Sequence, residues 1–87
     1  MTYELTTQYD SRQSFYGKAL VSTNEHGDLI LTSYSTRVAV ITTGTHGYIA
    51  KVNGTYSNTT LRHIKEFLKQ NGFKADTKSQ IIKDYLV

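Results

Sequence analysis

An α+β fold, with an antiparallel sheet first and helices last, is what this sequence predicts. Three observations carry that expectation. The chain of 87 residues has no Pro and no Cys and is rich in Thr, Ser and Tyr, residue types at home in strands and turns. Up to residue 54, runs of strand formers are separated by turns containing Gly or Asn. From residue 58 onward the apolar spacing becomes that of an amphipathic helix. Strands followed by helices in so short a chain imply a single domain, residues 1–87, with the helices packed on one face of the sheet.

The strands follow in order. Residues 2–9 (TYELTTQY) alternate loosely and are expected to add an N-terminal edge strand. FYGKALVS (15–22) and DLILTSY (28–34) flank the turn Asn24-Glu25-His26-Gly27-Asp28 and read as a hairpin. TRVAVIT (36–42) and YIAKV (48–52) flank Thr43-Gly44-Thr45-His46-Gly47 and read as a second, after which Asn53-Gly54 ends the sheet. The result is a curled meander of about four strands besides the N-terminal one. Between the hairpins, Leu29 and Leu31 lie on one parity and Val38 and Val40 on the other. A side-chain period of two forbids both pairs from facing one core along a straight strand. A bulge or sharp bend within TSYST (32–36) is therefore expected to switch the parity; the alternative is a sheet partly buried on both faces.

The helices are more strongly marked. Ser57 or Asn58 can cap the first. Gly72 fits the left-handed position after its end, and Phe73 falls where a Schellman motif returns it to Leu68. At about 100° per residue, Leu61, Ile64, Phe67 and Leu68 form an apolar stripe. Arg62, Lys65 and Lys69 form a basic one, with His63, Glu66 and Gln70 between them. Thr77-Lys78-Ser79-Gln80 is a capping-box pattern and opens a second short helix with Ile81, Ile82, Tyr85 and Leu86 on one face.

Composition excludes several chemistries. A chain of this length buries only about 60% of the surface its unfolded form exposes, and without Cys it has no disulfide and no thiolate metal site. Apolar runs such as Val38-Ala39-Val40-Ile41 fall far short of the roughly 20 residues of a membrane span. Residues 1–12 lack the basic and apolar regions of a signal peptide, so a cytoplasmic location and no membrane partner are expected. Asn53-Gly-Thr55 and Asn58-Thr-Thr60 match the glycosylation acceptor pattern and are read as chance. There is no activated-nucleophile motif, and the acids are scattered, so no catalytic, metal or cofactor-binding residue is expected and the protein is read as non-enzymatic. Glu25, His26, Asp28 and His46 are read as turn residues, and His63 as a packed histidine. The Gly44–Gly47 loop joins two strands and lacks the strand–loop–helix context of a phosphate loop.

Charge and aromatic content supply the candidate binding residues. Residues 1–59 carry four Lys/Arg and four Asp/Glu. Residues 60–87 carry six and three, which places the net charge of +3 in the C-terminal third. Arg62, Lys65 and Lys69 are the candidate partner-binding face of the first helix, extended by Lys74 and Lys78. The chain has seven Tyr, more than so small a core can hide with every hydroxyl satisfied. Tyr34 and Tyr56 are the expected exposed anchors, Tyr being an effective interface residue.

The blocks YGKA (16–19), SYSTRVAVI (33–41) and YSNTTLRHIKEFLKQNGF (56–73) together resemble a group of small proteins encoded by phages and mobile elements of Gram-positive bacteria. The group's pattern is YGKA … L-x-SY-x-T-x-V-A … S-x-TT-x-(R/K)HI-x-x-FL. The likeness covers residues 15–73, and departs at Gly54-Thr55-Tyr56, where the pattern has a Trp ahead of Tyr-Ser. It implies an accessory or anti-defence role exerted by binding a host protein or ribonucleoprotein. Phage proteins of this size are often accessory or anti-defence factors, including inhibitors of RNA-guided CRISPR nucleases, and inhibition of an immune nuclease is the activity expected from the resemblance. The basic helix keeps a second reading open, direct DNA or RNA binding in phage gene regulation, with a sponge for a signalling nucleotide as a third. An exposed sheet edge would also allow a homodimer.

Overall fold

The computed structural model describes residues 2–11, 14–44, 47–54 and 57–86. Strands β1 (Thr2–Glu4), β2 (Ala19–Thr23), β3 (Leu29–Ser33), β4 (Thr36–Gly44) and β5 (Gly47–Val52) precede helices α1 (Asn58–Gln70) and α2 (Lys78–Tyr85). The strands form an open antiparallel sheet in the order β1-β2-β3-β4-β5, so every neighbour in the sheet is a neighbour in sequence. The fold is α+β, as the sequence predicts, and residues 2–4 do add the N-terminal edge strand.

Turn chemistry sets the strand boundaries. Asn24 Oδ1 accepts the N–H groups of His26 (2.9 Å) and Asp28 (3.0 Å), an Asx-turn that closes the β2–β3 hairpin. The strand expected over 15–22 begins only at Ala19. Residues 15–18 form a tight turn in which Lys18 N–H donates to Phe15 C=O at 3.0 Å, with both Tyr16 (φ 53°) and Gly17 (φ 75°) in the left-handed region.

The parity expected to switch between Leu31 and Val38 switches at a turn and is then switched back by a bulge, so of the expected inward pair Val38 and Val40 only Val38 is buried. Tyr34 and Ser35 make a complete two-residue turn closed by the Ser33–Thr36 pair, not a bend within one strand. The register then shifts, with Thr32 opposite Arg37 but Leu31 opposite Ala39, so Val38 is the extra residue of a bulge. The inward residues of β4 are consequently Ala39 and Ile41. Val38 also reaches the core, at 1% exposure, whereas Val40 is half-buried on the opposite face.

One face of the sheet carries the core. Val21, Leu31, Ala39, Ile41, Ala50 and Val52 meet Ile64, Phe67 and Leu68 of α1 and Ile81 of α2, with Leu5, Phe15 and Ala75 closing the periphery. Ser57 caps α1, its hydroxyl accepting Thr60 N–H. At the other end Phe73 N–H donates to Leu68 C=O at 2.9 Å and Gly72 N–H to Lys69 C=O at 3.1 Å. This is the expected Schellman pair, with Gly72 at φ 85°. Thr77 caps α2 through Gln80 N–H at 3.1 Å, while the Gln80 side chain reaches Asp76 N–H instead of the cap residue. Ile81 faces the core, but Ile82 and Leu86, expected on the same face, are exposed. None of the helices among the described residues is long and apolar enough to cross a membrane.

Candidate functional site

The basic stripe of α1 divides in two. Arg62 Nη1 donates to Asp10 Oδ1 at 3.0 Å, and that carboxylate is only 10% exposed. Lys69 Nζ lies 3.1 Å from Asp76 Oδ1. Among the described residues no carboxylate lies within ion-pairing reach of Lys65. All three cations line one groove of about 490 Å³, and Asp10 and Asp76 line it too. The groove is of mixed charge.

Arg62 also belongs to a second stripe that helical spacing at i, i+4 and i+8 creates with Glu66 and Gln70. This stripe clamps the segment between β1 and β2. Glu66, 1% exposed, accepts at Oε1 the consecutive N–H groups of Gln8 (3.0 Å), Tyr9 (2.9 Å) and Asp10 (2.9 Å). Gln70 Nε2 donates both to Thr6 C=O (2.6 Å) and to Glu66 Oε2 (2.7 Å). A carboxylate seated on three successive backbone donors fills the kind of concavity that binds anions elsewhere. Here it holds the chain to α1.

The second cleft lies where α1 meets the turns after residue 14 and after β3. It has a volume of about 230 Å³ and is lined by Ser14, Phe15, Tyr16, Lys18, Tyr34, Thr59 and His63. Its floor is a buried polar knot. Ser33 Oγ lies 2.7 Å from His63 Nδ1 and 3.1 Å from Thr60 Oγ1, and Ser33, Thr60 and His63 are all buried. The imidazole stands edge-on to Phe15, with centroids 4.5 Å apart, and is tilted against Tyr34 at 5.9 Å. The two turns are tied together by Tyr34 N–H donating to Lys18 C=O at 2.7 Å. Gly17 N–H is held by Glu4 Oε1 at 2.8 Å.

Two tyrosines flank this floor, and both have left-handed backbones, Tyr16 at φ 53° and Tyr34 at φ 58°. They are 73% and 54% exposed. A non-Gly residue at positive φ is uncommon, and a bulky one is an outlier. Tyr34 is thus exposed as its polar surroundings in the sequence predict. Tyr56, the other expected anchor, and His46 lie outside the described residues. Tyr16, Lys18 and His63 were not among the expected contact residues. The signal that would have found them is the turn Tyr16-Gly17, hidden in an apparent strand. Three segments far apart in the sequence converge here. Tyr16 and Lys18 come from the first, Tyr34 from the second, and Thr59 and His63 from the third.

A family model matches residues 3–83. The chain belongs to this family of unknown function (DUF8033). The match takes in both the groove and the tyrosine cleft. No curated protein and no solved structure matches the chain. Among the described residues, no three side chains of His, Cys, Asp or Glu gather where they could hold a metal ion.

Proposed function

We propose that this DUF8033 protein is a non-catalytic accessory protein, of phage or mobile-element origin, that binds a host macromolecule and inhibits a bacterial immune nuclease. The Tyr16–Tyr34 cleft is the contact surface in this reading, and the host cytoplasm is where the protein acts. The observation that carries it is the pair of left-handed, exposed tyrosines on one cleft. Such a backbone costs about 1 kcal/mol or more per residue. Gly would occupy both positions without strain, and both rings are more than half exposed, Tyr34's lying partly against His63. Aromatic rings presented on tight, cross-tied turns are pre-ordered contact area, with little entropy left to lose on binding.

The groove on α1 supports the reading less. Arg62 and Lys69 are already satisfied within the fold, which leaves Lys65 as the stripe's available charge. Direct nucleic-acid binding is favoured by a different observation, Lys18 lining the cleft beside rings on which bases can stack.

A tagged pull-down from bacterial host lysate, run with and without nuclease digestion, separates the two. One host protein retained after digestion, whose nuclease activity the purified chain then blocks, is the expected result. Capture that vanishes on digestion, with affinity falling linearly in log–log form with salt, would replace inhibition by nucleic-acid binding.

A further inference from the structure

Two Asn-Gly dipeptides occur in the chain, Asn53-Gly54 and Asn71-Gly72. Both asparagines are exposed, but the two pairs are bonded differently. Gly72 N–H donates to Lys69 C=O at 3.1 Å, inside the motif that ends α1, and Asn71 Nδ2 donates to Phe67 C=O at 2.8 Å. Gly54 lies past the end of β5, and its N–H donates to no group among the described residues. Asn53 is tied to the start of β4. Its N–H donates to Val38 C=O at 2.9 Å and its Nδ2 to Arg37 C=O at 3.2 Å. One residue thus holds the two successive carbonyls at the bulge, just beyond the Tyr34-Ser35 turn.

We infer that Asn53 is a site of spontaneous deamidation in the folded chain and that Asn71 is not. The reaction needs a backbone nitrogen that can lose its proton and reach the amide carbon of the preceding side chain. Glycine has no Cβ to obstruct that approach. The Gly54 nitrogen, its proton taken by hydroxide, attacks Asn53 Cγ. A C–N bond forms, and the side-chain nitrogen takes a proton from water and leaves as ammonia, giving a five-membered succinimide. Water then opens one of the two ring carbonyls. Opening at Cγ gives aspartate; opening at the main-chain carbonyl gives isoaspartate, with the chain running on through Cβ and Cγ. The balance is one water consumed and one ammonia released, with no oxidation. At Gly72 the proton is held by Lys69 C=O and the backbone is fixed in the left-handed region at φ 85°, so base reaches it only when the helix end opens. At Gly54 no such opening is required. The product carries a carboxylate where Nδ2 met Arg37 C=O, acceptor against acceptor, and removes one unit from the net charge of +3. The side-chain half of the clamp on the bulge is then lost, and β4 loosens where the Tyr34 turn joins it.

Incubation of the folded chain at mildly alkaline pH, followed by digestion and mass spectrometry, tests the assignment. The peptide holding Asn53 is expected to gain the mass of an amide-to-acid exchange, with isoaspartate detected by enzymatic methylation, while the peptide holding Asn71 keeps its amide. In urea both should convert at similar rates, because only the fold distinguishes them. Gly54→Ala should slow conversion at position 53 and leave position 71 unchanged. Asn53→Asp, a permanent copy of one product, should melt about 2–4 °C below the wild type, the shift for an exposed hydrogen bond in a chain of this size. Asn71 converting as fast as Asn53 in the folded chain would overturn the inference. So would an Asn53 that is stable when folded and converts only in urea. An Asn53→Asp variant that melts with the wild type would overturn the loss of the clamp.

Discussion

Replacing Glu66 with Ala should detach the segment between β1 and β2 from α1. The carboxylate is 1% exposed and accepts three consecutive backbone donors at 2.9–3.0 Å. Hydrogen bonds to a charged group contribute about 1.5–3 kcal/mol each. Tyr9 is 59% exposed, so water can reach part of the segment once it loosens, and the low end of that range applies. Three such bonds would sum to about 4.5 kcal/mol, and because all three share the one oxygen Oε1 the expected loss is about 3 kcal/mol. A chain of this length has a total stability of roughly 4–13 kcal/mol, so the melting temperature should fall by about 10–25 °C. Burying a carboxylate is itself unfavourable, but the three N–H groups remain whatever side chain replaces it. Glu66→Gln keeps the shape and one acceptor oxygen and should lose about half as much. Urea unfolding gives the magnitude, and amide hydrogen exchange at residues 8–10 gives the location. A loss under about 0.5 kcal/mol, with protection at residues 8–10 unchanged, would refute the clamp.

Other perturbations separate structural from available charge. Arg62→Ala should lower stability by about 1–2 kcal/mol by removing the guanidinium that donates to the nearly buried Asp10 carboxylate, whereas Lys65→Glu should stay within about 0.5 kcal/mol; chemical denaturation distinguishes them. Ser33→Ala removes the hydroxyl shared by Thr60 and His63 and should lower stability by about 1–3 kcal/mol, read by thermal melting. Burial, and after it Asp84, raise the Tyr85 hydroxyl above its ordinary pKa. Its stabilising share is complete below the unfolded value of about 10 and is lost as pH rises through the folded value. A pH series should therefore show Tyr85→Phe losing less stability than the wild type above pH ~10.

Much of the fold was legible because its punctuation is chemical. Asn24 with Gly27, Ser57, Gly72 and Thr77 each mark a boundary by a hydrogen bond or a backbone region that few residues supply. The β3–β4 turn was harder to read because Thr32-Ser33-Tyr34-Ser35-Thr36 contains no Gly, Asn or Pro. Tyr34 takes the left-handed position itself, and the turn looked like a kink in one strand. The bulge at Val38 compounded this, since an added residue reverses every later inward assignment. Helical periodicity placed Glu66 and His63 between the faces of α1. Their burial depends on donors and rings more than 25 residues away, which no local period reports. Tyr34 could be found from its polar neighbours. Tyr16 was hidden in an apparent strand, and His63 has no local signal as a cleft residue, because the cleft exists only once three distant segments meet.

The double variant Tyr16→Gly/Tyr34→Gly asks whether the two exposed tyrosines serve binding or the fold. Glycine relieves the left-handed strain while adding unfolded-state entropy. Its melting temperature and its capture of host protein would be measured beside the wild type's. Stability within about 1 kcal/mol of the wild type and capture reduced to background are expected of a binding role. A loss of about 3 kcal/mol or more, the penalty for deleting core aromatics, with capture by the remaining folded protein undiminished, would contradict it.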